Sequence, residues 1–123
     1  MTTVLALDHV QLLVPRGGEK PCRDFSVGVL GLREIERPEA VRGRAFLWVA
    51  VGRQQVHFRV DNDFRRSPIA HPAFLVDDIA ALEQTLVARG FHPTRAQIAT
   101  DGRFHVEDPF GNRLEFMQSG VQS

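Results

Sequence analysis

A repeat constrains this chain more than any other feature: one strand, one helix and three strands run twice along it. In the first half, DHVQLLV alternates, with Val10, Leu12 and Val14 on one face and His9, Gln11 and Leu13 on the other. After the loop PRGGEK, Cys22, Phe25, Ser26 and Val29 fall at i, i+3, i+4 and i+7, the spacing of one helical stripe. Pro21 is tolerable in a helix's first turn, and Gly31 suits the left-handed position just past its end. LREIER, RAFLWVAVG and QQVHFRV then predict three strands, punctuated by Gly43 and Gly52.

DNDFRRSPIA is polar, carries a proline and has no period, so it reads as the connection between two halves. The second half opens with the strand AHPAFLVDD, in which Pro72 argues for an edge or a strand start. Asp77 or Asp78 is expected to cap a helix with the apolar stripe Ile79, Leu82 and Leu86. Gly90 is its expected left-handed cap, with Phe91 packing back on the last turn. TRAQIA, RFHVED and NRLEFMQ predict three more strands, with a tight turn at Pro109-Phe110-Gly111-Asn112 between the last two. His9 recurs as His71 and His57 as Glu115, at nearly the same offset; two features repeating together argue for duplication better than either alone. The expectation is an α+β chain forming one domain over 1–123, with module one at about 5–61 and module two at about 70–118.

Composition removes several function classes. A 43% hydrophobic chain of 123 residues can bury about two-thirds of its unfolded surface without staples. Fifteen basic residues balance fifteen acidic ones, which leaves no electrostatic footprint for nucleic acid. The single cysteine, Cys22, forms no internal disulfide and gives no sign of an oxidising compartment. The opening MTTVLALDHV lacks a positive leader, and Asp8 interrupts its apolar run, so no signal peptide is expected. No run approaches the roughly 18–20 apolar residues of a membrane span. A soluble, cytoplasmic unit without nucleic-acid or membrane partners is the expectation.

Strand periodicity turns the repeat into candidate chemistry. His9, His57, His71 and Glu115 each lie opposite the apolar face of their strand: Val10, Leu12 and Val14 for His9; Val56, Phe58 and Val60 for His57; Pro72, Phe74 and Val76 for His71; Leu114 and Phe116 for Glu115. Three imidazoles and a carboxylate converging in one hollow suit zinc, nickel, cobalt, manganese or iron(II), and the lack of thiolates argues against a purely soft site. The plainer reading stands beside it: a strand histidine is usually satisfied by hydrogen bonds, and Glu115 alone is most simply a half-exposed charge. His92 and His105 show that histidines also occur off the pattern. Parity does not fix depth in a sheet, so on residues alone both readings remain open.

The stretches LDHVQLLV, VGVLGLREI, RQQVHFRV, AHPAFLVDDIAALEQTLVARG and FHVEDPFGNRLEFMQ resemble the vicinal oxygen chelate superfamily, from about Leu7 to Gln118. That superfamily includes glyoxalase I, extradiol dioxygenases, fosfomycin-resistance transferases and bleomycin-resistance proteins; EDPFGNRLEF is the most specific match. The resemblance implies two βαβββ modules forming a cupped mixed sheet with helices on the outer face, around one divalent metal. The ligand positions of glyoxalase I-like members fall on His9, His57, His71 and Glu115, and members with three ligands use the positions of His9, His71 and Glu115. At His57 this chain departs from glyoxalase I, which carries glutamate or glutamine there; an imidazole adds a ligand but removes a possible carboxylate base.

The implied activity is that of a glyoxalase-like, metal-dependent lyase, isomerase or dioxygenase. It binds a small oxygenated or thiol-conjugated substrate through two adjacent oxygens and stabilises an enediolate-like anion. Glu115 is the catalytic candidate, as a ligand carboxylate able to move a proton. Arg59, Arg103, Arg113 and Trp48 are the substrate-binding candidates. The rival is a non-catalytic dimer that sequesters a bleomycin-like antibiotic in an aromatic trap of Trp48, Phe46, Phe104 and Phe64. Alternation in AFLWVAV is expected to put Phe46 and Trp48 on opposite faces, one of them in the core. The small members' length and layout also imply a homodimer.

Overall fold

The computed structural model describes residues 1–95 and 102–120. The chain divides into two compact units, Met1–Phe64 and Arg65–Ser123, and the boundary falls inside the DNDFRRSPIA connection. Each unit carries one helix and one mixed sheet.

In the first unit, strand β1 (His9–Val14) leads through a helical segment to β2 (Arg33–Ile35), β3 (Leu47–Val51) and β4 (Gln54–Val60). The sheet order is β1-β4-β3-β2, with β1 parallel to β4 and the other pairs antiparallel. The helical segment starts as α1 (Glu19–Arg23) and widens to π pitch over Asp24–Val29, where Leu30 N–H donates to the Phe25 carbonyl five residues back. Its buried residues, Cys22, Phe25 and Ser26, belong to the stripe that spacing predicts. Gly31 has φ +70°, the left-handed exit that a side chain with Cβ would resist. The predicted strand LREIER shortens to three residues, because Pro38 lies just beyond and opens a 3₁₀ turn at Glu39–Val41. Leu47 and Val49 point into the core and are fully buried, as is Val14 at the end of β1.

In the second unit, β5 (Ala73–Val76) precedes α2 (Ile79–Ala88), then β6 (Arg103–Glu107) and β7 (Arg113–Gln118). The order β5-β7-β6 repeats the first unit's plan: the opening strand runs parallel to the closing one, which pairs antiparallel with its predecessor. The repeat holds at single-residue level. Gln11 stands opposite His57 in one ladder, and Ala73 stands opposite Glu115 in the other. Asp78 caps α2 by accepting from Ala81 N–H at 3.0 Å. At the other end, Gly90 at φ +89° lets Phe91 N–H reach the Leu86 carbonyl and Gly90 N–H the Val87 carbonyl, the paired closure expected of a glycine exit. Leu86 and Phe104 are completely buried, and Phe116 lies between Phe74 and Phe104, with ring centroids 5.3 and 5.7 Å away.

Two strand expectations need adjustment. His71 does not sit in a strand: β5 begins two residues later, since Pro72 has no N–H to donate to the ladder. The contact nonetheless persists, as Glu115 N–H donates to the Pro72 carbonyl. Of TRAQIA, only Thr94 and Arg95 are among the described residues, and Thr94 makes an isolated antiparallel bridge to His105.

Candidate metal centre

The β6–β7 ladder sets His105 directly opposite Glu115, and the parallel β5–β7 pairing brings His71 up to the same carboxylate. His71 Nε2 lies 3.0 Å and His105 Nε2 3.2 Å from Glu115 Oε1. One donor atom from each of the three residues lies within 4.8 Å of the others. Two donors each about 2.1 Å from a common ion stand roughly 3–3.5 Å apart at tetrahedral angles, so the two shorter separations suit a shared cation. Thiolate is absent, and the set is that of a borderline to hard divalent ion.

Local chemistry sharpens the point. The His71 Nδ1 lies 2.7 Å from the Ile69 carbonyl, which can only accept, so that nitrogen carries the hydrogen. In the neutral ring the lone pair of Nε2 then faces a carboxylate oxygen. Two electron-rich atoms at hydrogen-bond distance require a cation or a proton between them. Anchoring the far nitrogen on a carbonyl is also how proteins orient a metal-binding imidazole. Burial lowers the His105 pKa below its ordinary value, the Arg113 charge adds to this, and Glu115 opposes both, a direction that favours the ligand-competent neutral ring.

The rest of this face is cationic. Arg103 Nη1 lies 3.5 Å from Glu115 Oε2, the carboxylate oxygen turned away from the histidines. Arg113, two residues before Glu115 on β7, shares its side of the strand. The turn that launches β7 is held by Asp108, whose carboxylate accepts from the N–H groups of Phe110 and Asn112 and from the Asn112 amide. Gly111 at φ +86° completes it.

The first unit brings its own pair together. His9 and His57 stack with ring centroids 4.0 Å apart, and Trp48 stacks on the other ring partner, its centroid 3.9 Å from His57 and nearly parallel to it. His9 Nδ1 donates to Asp8 at 2.9 Å, and His57 Nε2 lies 2.8 Å from Gln55 Oε1, leaving one nitrogen of each ring to act otherwise. Burial lowers the His57 pKa, with repulsion from His9 adding to it. Arg59 shares the strand face of His57 and is exposed.

His71 and Glu115 thus lie together in the second unit, and His9 and His57 in the first. His105, set aside in the sequence as off the pattern, sits against Glu115. Its signal was present: in RFHVED, Phe104 and Val106 are core residues, so His105 must take the opposite face, and the short DPFGN turn aligns it with Glu115. The aromatic assignments change as well. Phe104 is fully buried against Phe116 and lines no trap. Phe46 and Trp48 do not alternate, being two residues apart; the core side of β3 belongs to Leu47 and Val49, and Trp48 stacks on the face of His57.

The family described as the Glyoxalase/Bleomycin resistance protein/Dioxygenase superfamily matches residues 6–116. Among solved structures, a protein assigned to the glyoxalase family from Bacillus anthracis is 37% identical over 96% of this chain and 98% of its own, with a TM-score of 0.87. Lactoylglutathione lyase from Agrobacterium tumefaciens shares the fold at 17% identity, with 98% of this chain and 100% of its own covered and a TM-score of 0.69. TnmS3, an antibiotic-binding protein from Streptomyces sp. CB03234, does so at 20% identity, 96% and 98% coverage and a TM-score of 0.67. Among curated proteins, none matches the chain.

Proposed function

This chain belongs to the Glyoxalase/Bleomycin resistance protein/Dioxygenase superfamily, and on that premise we propose that it is a metal-dependent enzyme of the glyoxalase or dioxygenase type. Its substrate is a small oxygenated or thiol-conjugated compound presenting two adjacent oxygens. One observation carries the reading: His71, His105 and Glu115 present ligand atoms within 4.8 Å of one another, with His71 Nε2 3.0 Å and His105 Nε2 3.2 Å from the same carboxylate oxygen.

His71, His105 and Glu115 would hold the ion in the second unit; His9 and His57 are the candidate ligands of the first. When bound, a divalent cation supplies Lewis-acid polarisation of the two substrate oxygens. The protein's own part is positioning and proton movement. Glu115, 8% exposed, faces the histidines with Oε1 and Arg103 with Oε2, so a shift toward Arg103 frees a carboxylate oxygen to take a proton from substrate. The Ile69 carbonyl holds the His71 ring in place, and burial shifts His105 toward its neutral form. Assembly as a homodimer and a cytoplasmic location belong to the same proposal, on the family's small members.

A second reading has one observation of its own. Trp48, His57 and His9 stack in a column, and an aromatic drug lying on one of its end rings would extend the stack, as a sequestering protein requires. Elemental analysis of untagged protein purified without chelators separates the two. About one equivalent of metal per chain, lost in His71→Ala, supports the enzyme; protein without metal, unable to take up added zinc, manganese, nickel, cobalt or iron(II), overturns it in favour of sequestration.

A further inference from the structure

The charge around Glu115 is out of balance in one direction. Two guanidinium groups, Arg103 and Arg113, share its strand face, and Arg103 already shares the Glu115 carboxylate at 3.5 Å. Arg113 has no such partner. Its cross-strand neighbour Glu107 is engaged by Arg66 at 3.4 Å, and no ion pair among the described residues includes Arg113. Its Nε is buried and makes no hydrogen bond. A half-buried guanidinium whose Nε is shut off from water and which has no counter-charge is costly to keep, and an anion supplied from outside would offset that cost. Arg113 also stands two residues before Glu115 on β7, on the strand face that His105 shares, which places it beside the donor cluster. A divalent ion there would add further positive charge.

We propose that Arg113 is a specificity-determining residue that recognises an oxyanion group, a carboxylate or a phosphoryl, on the substrate of this site. The planar fork of arginine matches such a group through two parallel N–H···O contacts, which lysine cannot reproduce. The substrate class narrows accordingly: of the small oxygenated compounds that the proposed function admits, this site takes the anionic ones, with the charged group placed next to the oxygens that meet the metal. The inference rests on the metal-dependent reading of the same face, but its own observation is the partnerless arginine, and the two can fail separately.

Oxalate, an anion with adjacent oxygens, is the probe. Its dissociation constant is measured by calorimetry at fixed ionic strength, for the full chain loaded with manganese and again after chelator treatment. Arg113→Met is expected to weaken oxalate binding at least tenfold in the loaded protein and to leave manganese affinity within about threefold. Arg113→Lys, which keeps the charge but not the fork, is expected to recover only part of the loss. Arg113→Gln replaces Arg113→Met if the latter does not fold. Oxalate binding that is absent in loaded wild-type protein, or equal in wild type and Arg113→Met, overturns the inference while leaving metal binding intact. If manganese does not bind at all, the enzyme reading fails instead. The oxalate titration of the metal-free chain then decides this one, by whether removing Arg113 weakens it.

Discussion

His105 stands across the β6–β7 ladder from Glu115, with its Nε2 3.2 Å from the carboxylate oxygen that His71 also faces. If this imidazole is a ligand and not merely a neighbour, its removal should loosen a bound ion. His105→Ala is expected to lower zinc affinity at least tenfold, about 1.4 kcal/mol, in competition with a chromophoric chelator. His92→Ala is the control, since His92 is exposed and lies in a loop outside the cluster. Equal affinity in the two variants would remove His105 from the ligand set.

Three side chains meet at the Glu115 carboxylate: the imidazoles of His71 and His105 and the guanidinium of Arg103. Glu115→Gln keeps the shape and removes the charge that Arg103 and the two histidines face. The expected cost is about 1–2 kcal/mol of stability in urea unfolding of the metal-free protein, because the Arg103 guanidinium loses a charged acceptor. Metal content should fall in parallel. A variant as stable as wild type would mean that the carboxylate is no keystone of the unbound face.

Much of this was legible before any coordinates. Period-two alternation puts His57 opposite the face of Val56 and Phe58 and Glu115 opposite that of Leu114 and Phe116, and the repeat shows again in the ladders, where Gln11 pairs with His57 and Ala73 with Glu115. The glycine exits at Gly31 and Gly90 followed from left-handed geometry that only glycine adopts freely. His105 escapes the strand's own pattern because ladder register depends on turn length as well: the tight turn at Pro109-Phe110-Gly111-Asn112 sets β6 against β7 so that His105 pairs with Glu115. Phe104 was misassigned because aromatic content suggests a trap, whereas its parity with Val106 marks it as core. The partnerless state of Arg113 was beyond sequence altogether, since it depends on Glu107 choosing Arg66.

Asp108 offers a pH-dependent test of the turn that positions β7. Burial raises its pKa above 3.8, and the hydrogen bonds from Phe110 and Asn112 only partly offset this. The sign follows from linkage. A carboxyl whose folded pKa exceeds its unfolded one favours the folded state most at low pH, below the unfolded pKa, and that contribution is lost as pH rises through the folded value. Asp108 therefore becomes more favourable on acidification while exposed, paired carboxylates become less so. Carbon-detected NMR of the Asp108 carboxyl should show a midpoint above that of an exposed aspartate; a midpoint at or below 3.8 contradicts the burial argument.

Glycine substitutions should split by backbone geometry, and one of them should reach the site. Gly28 lies in the helical stretch of the first unit without a positive φ, and an added Cβ meets nothing within 4 Å. Gly28→Ala is thus expected to stabilise by about 0.5–1 kcal/mol, through lower chain entropy before folding. Gly111 has φ +86°, and its added Cβ would stand 3.0 Å from Arg66 Cδ. The exposed arginine can move aside, so the left-handed backbone dominates, and Gly111→Ala is expected to cost about 1–2 kcal/mol. Gly111→Asn should cost less, because asparagine tolerates that region better. Gly111 sits two residues before Arg113 and four before Glu115, so a turn forced out of shape displaces both along β7. Gly111→Ala should therefore weaken zinc binding as well as lower the urea midpoint, whereas Gly28→Ala should leave zinc affinity unchanged. Loss of stability without loss of affinity in Gly111→Ala would show that the site tolerates a relaxed turn.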